Sequence, residues 1–352
     1  MPLKVCYFGN YDPEYNRNRV LMRGLSQNGV TVIECNDRSS FFRRFWQLFR
    51  KHWSLGQDYD IMVVGFGGYT ALPLARLITR KPVIFDAFLS LYDSNIKDRQ
   101  LFRPFGPMAL WYWFLDWQAC FLSTAVLLDT ASHAAYFERM FCVPSRKLFH
   151  FPIGADPDIF PYCGVMSPNS PLIVHFHGSY IPLQGASFII GAAFLLRNEP
   201  FVFNLIGSGQ ELPAMRERVS RLGIGDTVRF IPRQSQKDIV PYLKAADVCL
   251  GMFGTSEKAS RVISNKIYEY CSAGKPVLTA DTPAMREYFD GQSIFFTKSG
   301  DAAILAAALR SFARTPYAEV CKRASNGYTL FIHSFTPNAI GRRFKTMLEK
   351  YV

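Results

Sequence analysis

The chain has 352 residues, a net charge of +12 and a pI near 9.3. That length exceeds one ordinary domain and suits two of about 150 residues each. Apolar residues make up 49% of it, enough for two real cores, and 15% are aromatic, so a disordered chain is excluded.

The basic balance favours an anionic partner: phosphate esters, an acidic membrane surface or nucleic acid. The basic residues are dispersed and no nucleic-acid module is recognisable, so nucleic acid is not an expected partner. The eight cysteines, at 6, 35, 120, 142, 163, 249, 271 and 321, form no CxxC pair and no zinc-type cluster. This usage reads as a reduced, cytoplasmic protein. The opening MPLKVCYFGN runs straight into a strand-turn pattern and does not read as a signal peptide. No uncharged apolar run reaches the roughly 18 residues of a membrane span; the nearest, 108–128, is broken by Asp116.

In chain order, LKVCYFG (3–9), VTVIEC (30–35), DIMVVGF (60–66), PVIFD (82–86), AVLLDT (125–130) and LFHFPIG (148–154) predict buried parallel strands, each followed by a crossover. The Pro- and Gly-containing stretch 154–171 is weakly periodic and predicts a linker over 156–170. The pattern then restarts with LIVHFHG (172–178), FVFNLIG (201–207), TVRFIP (227–232), VCLGMF (248–253), PVLTA (276–280) and SIFFT (293–297). Helices are expected over 211–222, 237–246 and 265–273, with two tail helices from about 301 and 337. The expectation is an α/β protein of two Rossmann-like, doubly wound domains facing a cleft, 1–155 and 171–335. A final helix within 336–352 would return toward the first domain.

The segment SFFRRFWQLFRKHW (40–53) separates its residues on a helical wheel. Phe41, Phe42, Phe45, Trp46, Leu48, Phe49 and Trp53 fill one face. Arg43, Arg44, Gln47, Arg50 and Lys51 fill the other, and His52 falls among the apolar set. This fits a helix lying in an anionic membrane interface, peripheral on the inner face of the membrane. It also fits a crossover helix with its aromatics in the core. MALWYWFLDWQACF (108–121) is too apolar for a surface helix and reads as a core helix or a second membrane contact.

The order of motifs in the second half resembles family 4 glycosyltransferases of the GT-B fold. The matching stretches are HGSYIPLQGASFII (177–190), FNLIGSGQELPAM (203–215), VRFIPRQSQKDIVPYLKAADVCLGMFG (228–254) and RVISNKIYEYCSAGKPVLTADTPAMREYF (261–289), with PIGADPDIF (152–160) as the turn into the linker. The resemblance implies sugar transfer from a nucleoside diphosphate (UDP or GDP) sugar to a glycan, lipid-linked or polysaccharide-precursor acceptor. It also implies a metal-independent, configuration-retaining reaction with no cofactor beyond the donor itself.

Such a donor needs backbone amides, a helix N-terminus and cations for its diphosphate, and a carboxylate for its ribose. Ser264 reads as the N-cap of a helix opened by Asn265 and Lys266. Glu269, one turn on, matches the family's ribose-binding glutamate. Gly207, Ser208 and Gly209 match the donor-site turn, where backbone must come close to the nucleoside. Arg233 falls in the loop that the resemblance puts beside the base. Gly178, Ser179 and Gln184 fall in the first phosphate loop, but many members have Arg and Lys where this chain has Ser179 and Gln184. Arg261 stands where the first of the family's paired glutamates would fall. One reading of these departures is compensation, with Arg261 and Lys266 replacing the missing cations at the diphosphate. The other is altered specificity, or a non-catalytic nucleotide- or glycan-binding protein that partners another transferase.

On the acceptor side, Gly9, Asn10, Arg17 and Arg19 follow the first strand, and the arginines are candidates for an acidic acceptor or the donor phosphate. Asp86 closes the strand PVIFD, where a carboxylate could act as a base or orient an acceptor hydroxyl; Asp93 is a weaker candidate of the same kind. Each also reads as an ordinary surface arginine or loop-tying aspartate. His175 and His177 share a strand face, but no third ligand is apparent and no metal is expected.

Overall fold

The computed structural model describes residues 2–352; nothing is described of the Phe41 side chain. The chain forms two compact units, residues 1–154 with 334–352, and residues 155–333.

The first unit alternates strand and helix: β1 (Lys4–Gly9), α1 (Asn16–Gln27), β2 (Thr31–Asn36), α2 (Phe41–Leu55), β3 (Ile61–Val64), α3 (Leu72–Ile78), β4 (Val83–Asp86), α4 (Pro107–Leu122), β5 (Ala125–Leu128), α5 (Ala131–Phe141) and β6 (Leu148–His150). The six strands are parallel in the order β2-β1-β3-β4-β5-β6. Side chains alternate across the pleat. Cys6 and Phe8 therefore join Leu48, Leu72, Ala119 and Phe137 under α2–α5, while Val5 and Tyr7 meet Val20 and Leu21 of α1 on the other face.

The second unit repeats the plan: β7 (Leu172–Ser179), α6 (Ala186–Leu195), β8 (Phe201–Ser208), α7 (Leu212–Leu222), β9 (Val228–Ile231), α8 (Gln236–Ala245), β10 (Val248–Leu250), α9 (Glu257–Arg261), α10 (Asn265–Ser272), β11 (Val277–Ala280), α11 (Pro283–Arg286), β12 (Phe295–Thr297), α12 (Ala302–Arg314) and α13 (Tyr317–Ser334). Its order is β12-β11-β10-β7-β8-β9. The chain reverses direction of winding between β7 and β10, and open α/β sheets bind ligands at the strand ends beside such a switch. The last helix, α14 (Pro337–Leu348), belongs to the first unit and packs on α1.

Two helices differ from the sequence reading. In α2 the buried residues are Leu48 and His52, whose Nε2 lies 2.7 Å from the Tyr59 hydroxyl. α2 is the crossover between β2 and β3, but Trp46 and Trp53 point outward and do not fill the core. α4 is not a core helix: Ala109, Leu115, Ala119 and Cys120 are buried, while Leu110, Trp111, Phe114 and Phe121 are exposed. Its one acid, Asp116, is buried and accepts from the Ser90 hydroxyl and the Leu91 and Tyr92 amides. Burial raises its pKa to about 7. Among the described residues no helix is long and apolar enough to cross a membrane.

Candidate functional site

The second unit gathers most of the donor-side candidates around the C-terminal end of β7. Alternation puts Val174 and Phe176 into the core and His175 and His177 on the opposite face. There the two imidazoles meet Tyr270 of α10, with ring centroids 5.8 and 5.1 Å away. The strand then ends in Gly178, at a φ of +151°. A methyl group on Gly178 would sit 3.1 Å from Lys266 Nζ and 3.2 Å from its Cε. The missing side chain is what lets Lys266 cross the strand end.

Lys266 is buried, donates to Gln184 Oε1 and lies 4.0 Å above the centre of the Phe176 ring. Burial pulls its pKa down to about 7, against the opposing pull of the Glu269 carboxylate. Gln184 is therefore a neutral acceptor beside a desolvated ammonium. A lysine at 184 would set a second cation against it. Phe253 N donates to the Gln184 carbonyl, which fixes the turn that carries it.

Ser264 occupies the N-cap position of α10 with extended backbone, but its hydroxyl makes no capping bond and is buried without a partner. The expected side-chain cap is thus absent. An uncapped helix start keeps its amide donors and positive dipole end available to an anion. Asn265 is half-buried beside it.

Glu269 is not on a solvated face. It is buried, and its Oε2 lies 2.7 Å from His177 Nε2; His177 Nδ1 lies 2.9 Å from His175 Nε2. Hydrogen-bond logic assigns the protons. The carboxylate needs a donor, so His177 carries its proton on Nε2 and accepts at Nδ1 from His175 Nε2–H. That leaves a bare lone pair on His175 Nδ1, the one imidazole nitrogen of the three-residue chain with no partner. Burial, and then the charges of His177, Lys266 and Lys275, push the His175 pKa well below the usual imidazole range, which agrees with a neutral ring. The histidines hold Glu269, and among the described residues no group of three His, Cys, Asp or Glu side chains is arranged to hold a metal.

The turn after β8 approaches the same place. Gly207 pairs with Gly178 in register, and a Cβ on it would lie 1.9 Å from the Gly178 carbonyl oxygen. A Cβ on Gly209 would lie 2.5 Å from the Tyr180 amide nitrogen and carbonyl oxygen. Both glycines have positive φ, so close backbone packing and conformation each require glycine. Ser179, Ser208 and Arg233 are exposed. Arg261 is buried at the end of α9, with Nη1 donating to Glu257 Oε2 at 3.2 Å. Sequence reasoning missed Gly185 and Gly254. A Cβ on Gly185 would strike Gly254 N at 2.5 Å, and one on Gly254 would strike the Leu183 carbonyl oxygen at 2.4 Å. Their only signal was a glycine following each loop.

In the first unit, Arg17 and Asp86 form a pair with no exposed surface. Arg17 Nε lies 3.1 Å from both Asp86 oxygens and Nη2 lies 3.0 Å from Oδ1. The remaining guanidinium donors reach the carbonyls of Leu128, Phe151 and Pro152. This favours the structural alternative for both: the Arg17 donors are all used within the unit, and Asp86 is fully buried with both oxygens facing that guanidinium. Asp93 is also fully buried. Gly9 ends β1, Asn10 Oδ1 is buried without a partner, and Arg19 donates to the Glu14 carbonyl.

Residues 171–314 match the family described as glycosyl transferases group 1. The chain is 32% identical over 161 residues to D-inositol 3-phosphate glycosyltransferase of Streptomyces scabiei. That match takes in 42% of this chain and 35% of the relative, so the chain spans about a third of the length of the curated relatives it matches. Two solved structures resemble it from end to end. Anabaena HepE in complex with UDP-glucose has a TM-score of 0.72 at 15% identity, covering 99% of this chain and 100% of that one. Sucrose-phosphate synthase from Thermosynechococcus elongatus has a TM-score of 0.76 at 14% identity, covering 99% and 98%. At these identities the likeness is one of fold. Residues 171–314 thus carry the signature of the group 1 glycosyltransferases, in a chain whose paired parallel sheets have the GT-B fold.

Proposed function

We propose that the chain transfers a sugar from a UDP- or GDP-linked donor to a lipid-linked or polysaccharide-precursor acceptor, with no metal and with retention at the anomeric carbon. One observation carries this reading: the uncapped start of α10, the Lys266 ammonium and the His177-held Glu269 carboxylate stand within one helical turn at the end of β7. A diphosphate placed there meets amide donors, the helix dipole and a cation that can neutralise the departing phosphate. Glu269, with Oε2 engaged by His177, offers Oε1 to a ribose hydroxyl. Gly207 and Gly209 let the backbone approach the nucleoside without a side chain between. The HepE structures that share the fold hold UDP and UDP-glucose, which supports a uridine nucleotide as the first donor to try.

Because Lys266 supplies the buried cation and Gln184 accepts from it, the departures at 179 and 184 are consistent with a working site. The departures also motivate a second reading, a non-catalytic nucleotide-binding member. A thermal-shift panel of UDP-, GDP-, ADP- and dTDP-sugars identifies the donor, since a ligand that binds only the native state raises its melting temperature. Donor turnover and affinity are then compared for wild type and Glu269→Ala. More than tenfold weaker binding is expected in the variant; unchanged affinity removes Glu269 from the site. Saturable binding without transfer or donor hydrolysis establishes the second reading.

A further inference from the structure

We propose that the outward faces of α2, α3 and α4, with the loop over residues 99–106, form one docking surface for an anionic lipid bilayer. The sequence pointed to α2 and left α4 open as a second contact; the fold joins both to α3. All three pack on the same face of the first sheet, through Leu48, Leu72 and Ala75, and Ala119 and Cys120. α2 lies against α3 and α3 against α4, so their outer sides are contiguous.

That outer side is apolar. Trp46 is 61% exposed, Trp53 77%, Leu77 84%, Phe105 86%, Leu110 62% and Phe121 67%. Single exposed apolar residues are ordinary, but a contiguous set of large ones marks an interaction surface. The rings stack along each helix: Trp46 on Phe49, Trp111 on Phe114, and Trp117 on Phe121. Phe105 is held outward by a φ of +63°, and Gln100 in the same loop has a φ of +52°. That conformation is costly for a bulky residue and is retained where surrounding structure enforces it.

Charge selects the occupant. Residues 38–57 contain no acid, and the acids between 61 and 128 are Asp86, Asp93, Asp98 and Asp116, all of them buried. The flanking acids are already paired, Asp37 with Lys51 and Asp58 with Lys4. The exposed charge on these elements is therefore basic, from residues including Arg43, Arg50, Arg76, Arg80 and Arg103. A second copy docked through the same face would bring two basic surfaces together. An anionic leaflet neutralises them, while tryptophan and phenylalanine seat at the headgroup level. The surface lies wholly in the first unit and is independent of the donor-site reading.

The chain's five tryptophans are Trp46, Trp53, Trp111, Trp113 and Trp117, so all lie in α2 and α4 and tryptophan fluorescence reports on these two helices. The full chain is mixed with vesicles of phosphatidylcholine, with or without phosphatidylglycerol and brominated lipid. Expected are co-sedimentation with the anionic vesicles, quenching by the brominated chains and weakening by salt. Replacing Arg43, Arg50 and Arg103 with Gln should weaken binding about a hundredfold, at about fivefold per charge. Trp53→Ser with Phe105→Ser should abolish quenching while circular dichroism and UDP binding stay unchanged. Failure to bind anionic vesicles, or binding indifferent to both sets of substitutions, overturns the proposal. So does a dimer in sedimentation equilibrium that these substitutions dissociate, since a second copy then covers the surface.

Discussion

His177 Nε2 lies 2.7 Å from Glu269 Oε2, so a strand residue fixes the carboxylate of a helix residue 92 positions away. If that bond orients Glu269 toward a ribose, His177→Phe should weaken UDP binding by more than tenfold and leave affinity for 2′,3′-dideoxy-UDP nearly unchanged. Combining it with Glu269→Ala should add little, because the two side chains act as one unit. Calorimetric titration of the four proteins with both nucleotides checks this. Equal losses for both nucleotides would make His177 a structural residue only. The stability cost of the single change should be about 1–3 kcal/mol, the penalty of a buried acceptor losing its donor.

Lys266 makes the site pH-dependent with a definite sign. Its pKa falls from 10.5 to about 7 on burial. Between those values the unfolded chain holds the extra proton, so Lys266 costs stability below pH 10.5 and the cost grows until about pH 7, then levels off. Unfolding free energy should therefore rise with pH across this window, and the slope should diminish in Lys266→Met. Bound diphosphate favours the ammonium and raises its pKa again. UDP binding at pH 8 should take up protons, detected as a dependence of calorimetric heat on buffer ionisation enthalpy. Affinity should strengthen as pH falls toward 7 and flatten below it.

The Arg17–Asp86 pair separates a structural role from a catalytic one. Asp86→Ala leaves a buried guanidinium without its counter-charge and should cost about 3–5 kcal/mol. Arg17→Met with Asp86→Leu removes both charges and should recover a large part of that loss. Urea unfolding of the three proteins measures it. A general-base role for Asp86 would instead appear as a lost turnover number in Asp86→Ala with stability intact.

The alternation of apolar runs made the two α/β units legible, because strands buried on both faces must be continuous in Val, Ile, Leu and Phe. Thus PVIFD became β4 and LIVHFHG became β7. Glu269 and Lys266 were singled out by the family resemblance together with their places in the first turns of one helix. What was not visible were relations between distant segments: Gln184 beneath Lys266, His177 against Glu269, and Arg17 turned inward to Asp86. A charged residue at a strand end looks the same in sequence whether it faces a ligand or a buried partner. α4 stayed open between core and surface contact because its apolar composition suggests burial in every direction, whereas its neighbours cover only the side bearing Ala109, Leu115, Ala119 and Cys120.

Gly24 and Gly341 set how closely α14 approaches α1. A Cβ on Gly341 would lie 2.1 Å from the Gly24 carbonyl carbon and oxygen, and one on Gly24 would lie 2.3 Å from the Pro337 carbonyl oxygen. Glycine inside a helix normally costs about 1 kcal/mol relative to alanine, so Gly341→Ala on an isolated helix would stabilise. Here the sign should reverse. The obstructing atoms are backbone, which cannot rotate away, and separating the helices exposes Ile340 and Phe344, both fully buried in the core shared with Val20 and Leu21. A loss of about 2–4 kcal/mol is expected, the range of a sizeable core disruption. Gly225→Ala is the matched control, since a Cβ there meets nothing within 4 Å and should change stability by less than about 0.5 kcal/mol. Thermal unfolding of both variants decides the matter: equal melting temperatures would mean that α14 can shift on α1 without loss.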